Sequence, residues 1–310
     1  MALYRELATI FLVKVLVSGS TGLLGSTLVS YFNHRGDPVV RLVRAKSIGG
    51  AEVLWNPAAR ILDLKHLEGF DAVVHLAGDP IAQGRWTPEK KARIRDSRVK
   101  GTRFLAESLA KLTHPPKVFA CASAIGFYGH RGDELLTEES SKGTGFLPEI
   151  GQEWEKACEP AVERGIRVVN LRFGIVLSPK GGALKLMLPP FQLGLGGPLG
   201  SGKQWMSWVS IEDVVGAINH ALANESVRGP VNVVAPNPVT NLVFTKALGH
   251  ALKRPTFFPV PAFAVRLLFG EMADAALLAS TRVEPKKLKY TGYRFRHPDL
   301  DLALHDLLTE

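Results

Sequence analysis

The chain of 310 residues is poor in cysteine, with only Cys121 and Cys158. Two cysteines this far apart form neither a disulfide framework nor a metal spacing, and they suit a reducing cytosol, where the protein is expected to reside. No run of about 18 uncharged apolar residues occurs, so no membrane span is expected. Histidine, cysteine and aspartate nowhere cluster at ligand spacing, which excludes a recognisable metal site. Repeats and low-complexity stretches are absent as well. Acidic residues are outnumbered, 29 against 38 basic ones, for a net charge of +9. The basic runs at 90–95 and 285–289 lack interleaved aromatics, so they read as solvated faces and not as nucleic-acid patches. A phosphorylated cofactor or an anionic small-molecule substrate would suit the basic excess. Nothing in the composition separates a monomer from a dimer.

What is present is a large apolar fraction, 46%, and enough length for one or two domains with a sizeable core. The most informative segment is 13–25. An apolar run reads as a buried strand, Gly19, Gly22 and Gly25 follow at G-x-x-G-x-x-G spacing, and a helix-period segment begins at Leu24. Strand, glycine turn and helix in this order let a pyrophosphate sit on a helix N-terminus. Gly19 permits the tight turn, Gly22 lets backbone approach the phosphates, and Gly25 lets the helix pack close. The second strand, 38–46, carries no acid at its end for a ribose 2′-hydroxyl. Arg44 and Lys46 stand there instead, with Arg41 nearby. A guanidinium forks onto phosphate, so NADP is the expected cofactor; a solvated basic loop is the alternative.

Strand and helix patterns alternate onward: strands at 51–55, 72–78, 117–123 and 167–172, and helices at 88–111 and 149–164. This predicts an α/β fold with a doubly wound parallel sheet of Rossmann type. From Ser178 the pattern breaks into glycine-rich loops, then a helix at 211–222, a strand at 230–234 and a mostly helical remainder. The expected organisation is an N-terminal extension at 1–12, a nucleotide-binding domain at 13–177, and a substrate-side lobe at 178–310 partly interleaved with the sheet. The loop 194–202, followed by Lys203, reads either as a cradle for an anionic group or as a turn around the lobe.

Motifs in order sharpen this picture. They include Leu76-Ala77-Gly78, Arg85-Trp86-Thr87, Ser97-Arg98-Val99, the segment from Ser123 to Tyr128 and Gly129, Trp154-Glu155, the 193–202 loop, Arg254-Pro255 and Phe269-Gly270-Glu271. The set resembles an atypical branch of the extended short-chain dehydrogenases/reductases: the NAD-dependent epimerase/dehydratase family, in its SulA-like form with a C-terminal domain of unknown function. The likeness spans about residues 13–308. It implies that Gly19, Ser20, Thr21, Gly22, Leu23, Leu24 and Gly25 hold the cofactor together with Arg44, Leu76, Ala77 and Gly78.

In that superfamily a tyrosinate takes the hydroxyl proton, a lysine four residues on lowers its pKa from about 10, and a serine binds the substrate oxygen. Ser123 fits the serine. The Tyr-x-x-x-Lys pair is absent: the residues four beyond Tyr4, Tyr31, Tyr128, Tyr290 and Tyr293 are Ala8, Arg35, Gly132, Arg294 and His297. If Glu155 matches the acid that follows the motif, Leu147 and Gly151 stand in the two places. Tyr128 is the one tyrosine near the expected site and the candidate phenol; a loop aromatic between glycines that packs against the lobe is the alternative. Glu138, Glu153 and Glu155 are further candidate acids, and His75 reads as a core histidine. Two readings stay open: an NADP-dependent oxidoreductase or epimerase with non-standard acid/base groups, and a cofactor-binding regulatory or cell-division-associated protein with little turnover.

Overall fold

The structure is a computed structural model that describes residues 13–45 and 51–309. The extension at 1–12 and Lys46 lie outside the described residues. β1 (Val15–Ser18) is buried on both faces, as its apolar run requires. It pairs in parallel with β2 (Val39–Val43) on one side, which pairs with β3 (Glu52–Asn56); β4 (Ile61–Leu62) closes that edge antiparallel. On the other side lie β5 (Ala72–His75), β6 (Val118–Ala124), β8 (Arg167–Phe173) and β12 (Gly229–Val233), all parallel. The eight-stranded sheet thus runs β12-β8-β6-β5-β1-β2-β3-β4. Three short pairs lie outside it. β7 (Leu135–Leu136) joins β14 (Arg282–Val283), β9 (Ile175–Leu177) joins β11 (Trp208–Ser210), and β10 (Trp205–Met206) joins β13 (Val239–Thr240).

α1 (Leu23–Arg35) packs with α6 (Ile211–Ala223), and α2 (Pro88–Ala110) packs with α3 (Phe146–Lys156) and α4 (Glu159–Glu163), forming the two helical layers of a doubly wound sheet. The expected single helix at 149–164 is two. Pro160 has no N–H to continue the ladder, and the chain turns at Ala157 and Cys158 before α4. The stretch expected as loop after Ser178 contains α5 (Gly182–Gln192), whose pattern Pro189 and Pro190 obscure. α7 (Asn241–Ala251), α8 (Ala262–Phe269), α9 (Lys286–Tyr290) and α10 (Leu300–Thr309) complete the chain. The segment 293–297, between α9 and α10, is fastened to α6 by Asp213. Its carboxylate accepts from the Tyr293 hydroxyl at 2.9 Å and from the backbone N–H groups of Arg296 and His297 at 2.8 and 2.9 Å.

The chain proceeds from β1 outward to β4, then returns to β5 on the opposite side of β1. The direction of winding therefore reverses between β1 and β5, and ligands of open α/β sheets bind at the carboxyl ends of strands flanking such a point. The segments leaving those two ends are the glycine turn and Leu76-Ala77-Gly78. Among the described residues no helix is long and apolar enough to cross a membrane, and no His, Cys, Asp and Glu group could hold a metal ion.

Candidate functional site

The three glycines of the turn have different neighbours. Gly19 adopts φ +68°, and a Cβ there would fall 2.7 Å from the backbone nitrogen of Ala77. It is the point where the β1 turn and the segment after β5 touch. Gly25 is needed because a Cβ would fall 2.7 Å from the Cα of Ser20; its close approach is to the turn's own backbone. Gly22 differs: a Cβ would meet only the carbonyl oxygen of Gly19, at 3.4 Å. Its outer side is open space at the start of α1.

Gly22 is the N-cap of α1, no side chain caps that end, and the first turn carries no acid. Uncapped N–H groups and the positive end of the helix dipole suit an anion. Ser20 is 6% exposed, and its hydroxyl makes no hydrogen bond among the described residues. An open Gly22, an uncapped helix and a buried hydroxyl without partner together fit a pyrophosphate. Arg44, at the end of β2, is exposed. Arg41 is engaged elsewhere, in an ion pair with Glu52 across the β2–β3 ladder at 2.5 Å.

The segment after β5 is stapled to α2. The Asp79 N–H donates to Ser97 Oγ at 3.0 Å, Arg98 Nη1 donates to the Asp79 carbonyl at 2.9 Å, and Lys90 Nζ pairs with the Asp79 carboxylate at 2.5 Å. Arg98 lies against Gly78 and over the Trp154 ring, 5.0 Å from its centroid. Burial pushes its guanidinium down to about 10, against the opposing pull of Asp79. Lys90 corrects the expectation of a solvated basic run at 90–95, since it is buried. Lys90, Ser97 and Asp79 carry no local sequence signal of a site, because their meeting depends on where α2 returns. His75 is a core histidine with Ser18 Oγ 2.5 Å from its Nδ1, and burial lowers its pKa from 6.5 to about 4.

Ser123 and Tyr128 are brought together, but through an interior network. Ser123 Oγ donates to Glu155 at 2.8 Å. Arg172 grips both oxygens of Glu155, at 2.7 and 2.8 Å, and donates to the Tyr128 hydroxyl at 2.8 Å. That hydroxyl donates in turn to Asn232 Oδ1 at 2.7 Å. Tyr128 has no exposure, and its pKa is raised: burial outweighs the neighbouring Arg172. The expectation of a loop phenol facing substrate therefore does not fit its placement.

Two of the candidate acids are held in ion pairs, while Glu138 keeps one buried oxygen, Oε2, without a partner among the described residues. Glu153 pairs with Arg95 at the surface, Glu155 is held by Arg172, and one oxygen of Glu138 accepts from the N–H groups of Asn232 and Lys287, both at 3.1 Å. Leu147 packs with the apolar cluster around Trp86, Ile150 and Met272. At Gly151 a side chain would begin 3.2 Å from the Cα of Phe127. The loop at 194–202 is tied to the segment 258–260. Gly200 N–H donates to the Val260 carbonyl at 2.8 Å, Val260 N–H to Pro198 at 2.9 Å, and Gly197 gives way to the Phe258 carbonyl.

Sheet order, glycine turn and switch point define a nucleotide-binding protein of the short-chain dehydrogenase/reductase type. A model of the NAD dependent epimerase/dehydratase family matches residues 15–235, and a domain of unknown function matches 260–307. The chain belongs to the NAD-dependent epimerase/dehydratase family. An epimerase family protein of Mycobacterium bovis is 43% identical over 290 residues, which is 94% of this chain and 96% of the relative. The crystal structure of human epimerase family protein SDR39U1 (isoform 2) with NADPH matches with a TM-score of 0.88 at 34% identity, over 96% of this chain and 99% of that one. A nucleoside-diphosphate sugar epimerase from Corynebacterium glutamicum matches with a TM-score of 0.79 at 37% identity, over 96% of this chain and 59% of that one.

Proposed function

We propose that the protein binds NADPH along the carboxyl edge of its sheet and acts on a small-molecule substrate as an oxidoreductase or epimerase with non-standard proton-transfer groups. The observation that carries the cofactor assignment is the open Gly22 at the uncapped start of α1, with the Ser20 hydroxyl unpartnered beside it. The likeness to a human relative crystallised with NADPH supports the same choice. Residues 19–25 hold the pyrophosphate, Arg44 the 2′-phosphate, and Leu76, Ala77 and Gly78 border the cofactor across the switch point. Bound NADPH supplies a hydride. The chain's own residues bind and orient: Lys90, Ser97 and Arg98 fix the segment after β5, and the Glu155–Arg172 pair fixes Ser123. Residues from 178 onward form the substrate-side lobe, apart from α6 and β12, which interleave with the sheet domain.

A second reading, a cofactor-binding protein with little turnover, is favoured by one observation: the hydroxyls of Ser123 and Tyr128 are both committed to internal partners. The cofactor assignment is common to both readings and is tested through Arg44. NADPH binds at least tenfold tighter than NADH, about 1.4 kcal/mol, because charge-assisted bonds from Arg44 reach only the 2′-phosphate. Arg44→Ala removes that preference. Calorimetric titration of both proteins with both dinucleotides measures it, and equal affinities in the wild type would refute the choice of NADPH.

A further inference from the structure

The start of α5 lies against the start of α1. A Cβ on Gly181 would fall 3.3 Å from Leu23 Cδ1, and one on Gly182 3.5 Å from Leu23 Cδ2, so the residue that opens α1 is covered by the residues that open α5. Gly182 sits at φ +70°, where the turn into α5 favours glycine. α5 also begins without a side-chain cap and without an acid in its first turn. Two uncapped helix starts thus meet at Leu23, one residue from the open Gly22, and the unpartnered hydroxyl of Ser20 lies buried in the same turn. The residue before this junction is Lys180. It is exposed, and its backbone N–H is fixed by Ser178 Oγ at 3.2 Å. Among the described residues its ammonium group has no partner. Four other basic side chains are committed to carboxylates: Lys90 to Asp79, Lys91 to Glu271, Arg95 to Glu153 and Arg41 to Glu52.

We propose that Lys180 is a counter-ion of the cofactor pyrophosphate, and that the turn 178–182 forms the second wall of the phosphate site opposite the glycine turn. The proposal rests on the NADPH reading above. Its physical content is that the charge of the pyrophosphate is met from two elements. Backbone N–H groups of α1 meet it from one side, and a flexible ammonium carried in from the far end of the sheet domain meets it from the other. Lys180 and Arg44 then divide the work by group. Arg44 reads the 2′-phosphate that only NADPH carries, and Lys180 meets the pyrophosphate common to NADPH and NADH.

That division supplies the test. Wild type, Lys180→Ala, Lys180→Glu and Lys180→Arg are titrated with NADPH and with NADH in a calorimeter, with thermal melting as the folding control. Lys180→Ala weakens both dinucleotides by the same factor, about tenfold. Lys180→Glu weakens both further, and Lys180→Arg restores both. Affinities within twofold of wild type in the Ala and Glu variants overturn the proposal while leaving the NADPH reading intact. A loss confined to NADPH overturns it too, because Lys180 would then face the 2′-phosphate. A wild type that binds neither dinucleotide overturns the proposal and the reading it rests on together.

Discussion

Arg172 donates to the hydroxyl of Tyr128 at 2.8 Å while its guanidinium stacks 3.6 Å over the ring of Phe127. This pairing joins β8 to the turn after β6 and places the Tyr128 phenol inside the protein, between Arg172 and Asn232. A cation thus stands beside the phenol, as a lysine does in the superfamily, yet burial dominates and the pKa moves up. Its two hydrogen bonds fix the phenol between Arg172 and Asn232.

Tyr128→Phe accordingly leaves Arg172 Nη1 and Asn232 Oδ1 each short of one partner in a buried network. The expected cost is about 1–3 kcal/mol of folding stability, read by urea denaturation, with NADPH affinity unchanged. Unaltered stability accompanied by lost turnover would return Tyr128 to the reacting centre.

His75 predicts a pH dependence. Its pKa in the fold is about 4 against 6.5 for the free side chain, lowered by burial. Between those values the unfolded chain takes up a proton that the folded protein refuses. The stability contribution is therefore complete above the unfolded value and is lost as pH falls toward 4. The full difference amounts to about 3 kcal/mol. His75→Asn keeps an acceptor near the Nδ1 position for Ser18 and removes the titration. Unfolding free energies at about pH 4.5 and about pH 7 should fall more steeply for the wild type than for the variant. Parallel losses in the two proteins would assign the acid sensitivity to other groups.

The parts of the fold legible in the sequence are those fixed by local pattern. The apolar run of β1, the glycine spacing and the alternation of strands with helices each follow from residues close together in the chain. The site beyond the glycine turn was less legible, because its contacts join distant segments. Tyr128 reads as a loop aromatic between glycines until Arg172 and Asn232, 44 and 104 residues away, close on its hydroxyl. Lys90 reads as one more charge in a basic run until Asp79 meets it. The glycines at 194–202 read equally as an anion cradle, and only the return of the chain through Phe258 and Val260 shows what they make room for. The missing lysine was legible as an absence. That Phe127 fills the space beside Gly151 was not.

The central claim is that the cofactor pyrophosphate lies against Gly22, and the most direct measurement is an NADPH titration of the wild type beside Gly22→Val. The fold has room for the substitution: φ at Gly22 is −77°, which valine adopts, and the added Cβ meets only the Gly19 carbonyl at 3.4 Å. The variant is expected to melt with the wild type and to lose NADPH affinity at least a hundredfold, about 2.7 kcal/mol, because the valine occupies the space of the pyrophosphate. Undiminished NADPH binding by a folded Gly22→Val protein would contradict the account and place the cofactor elsewhere.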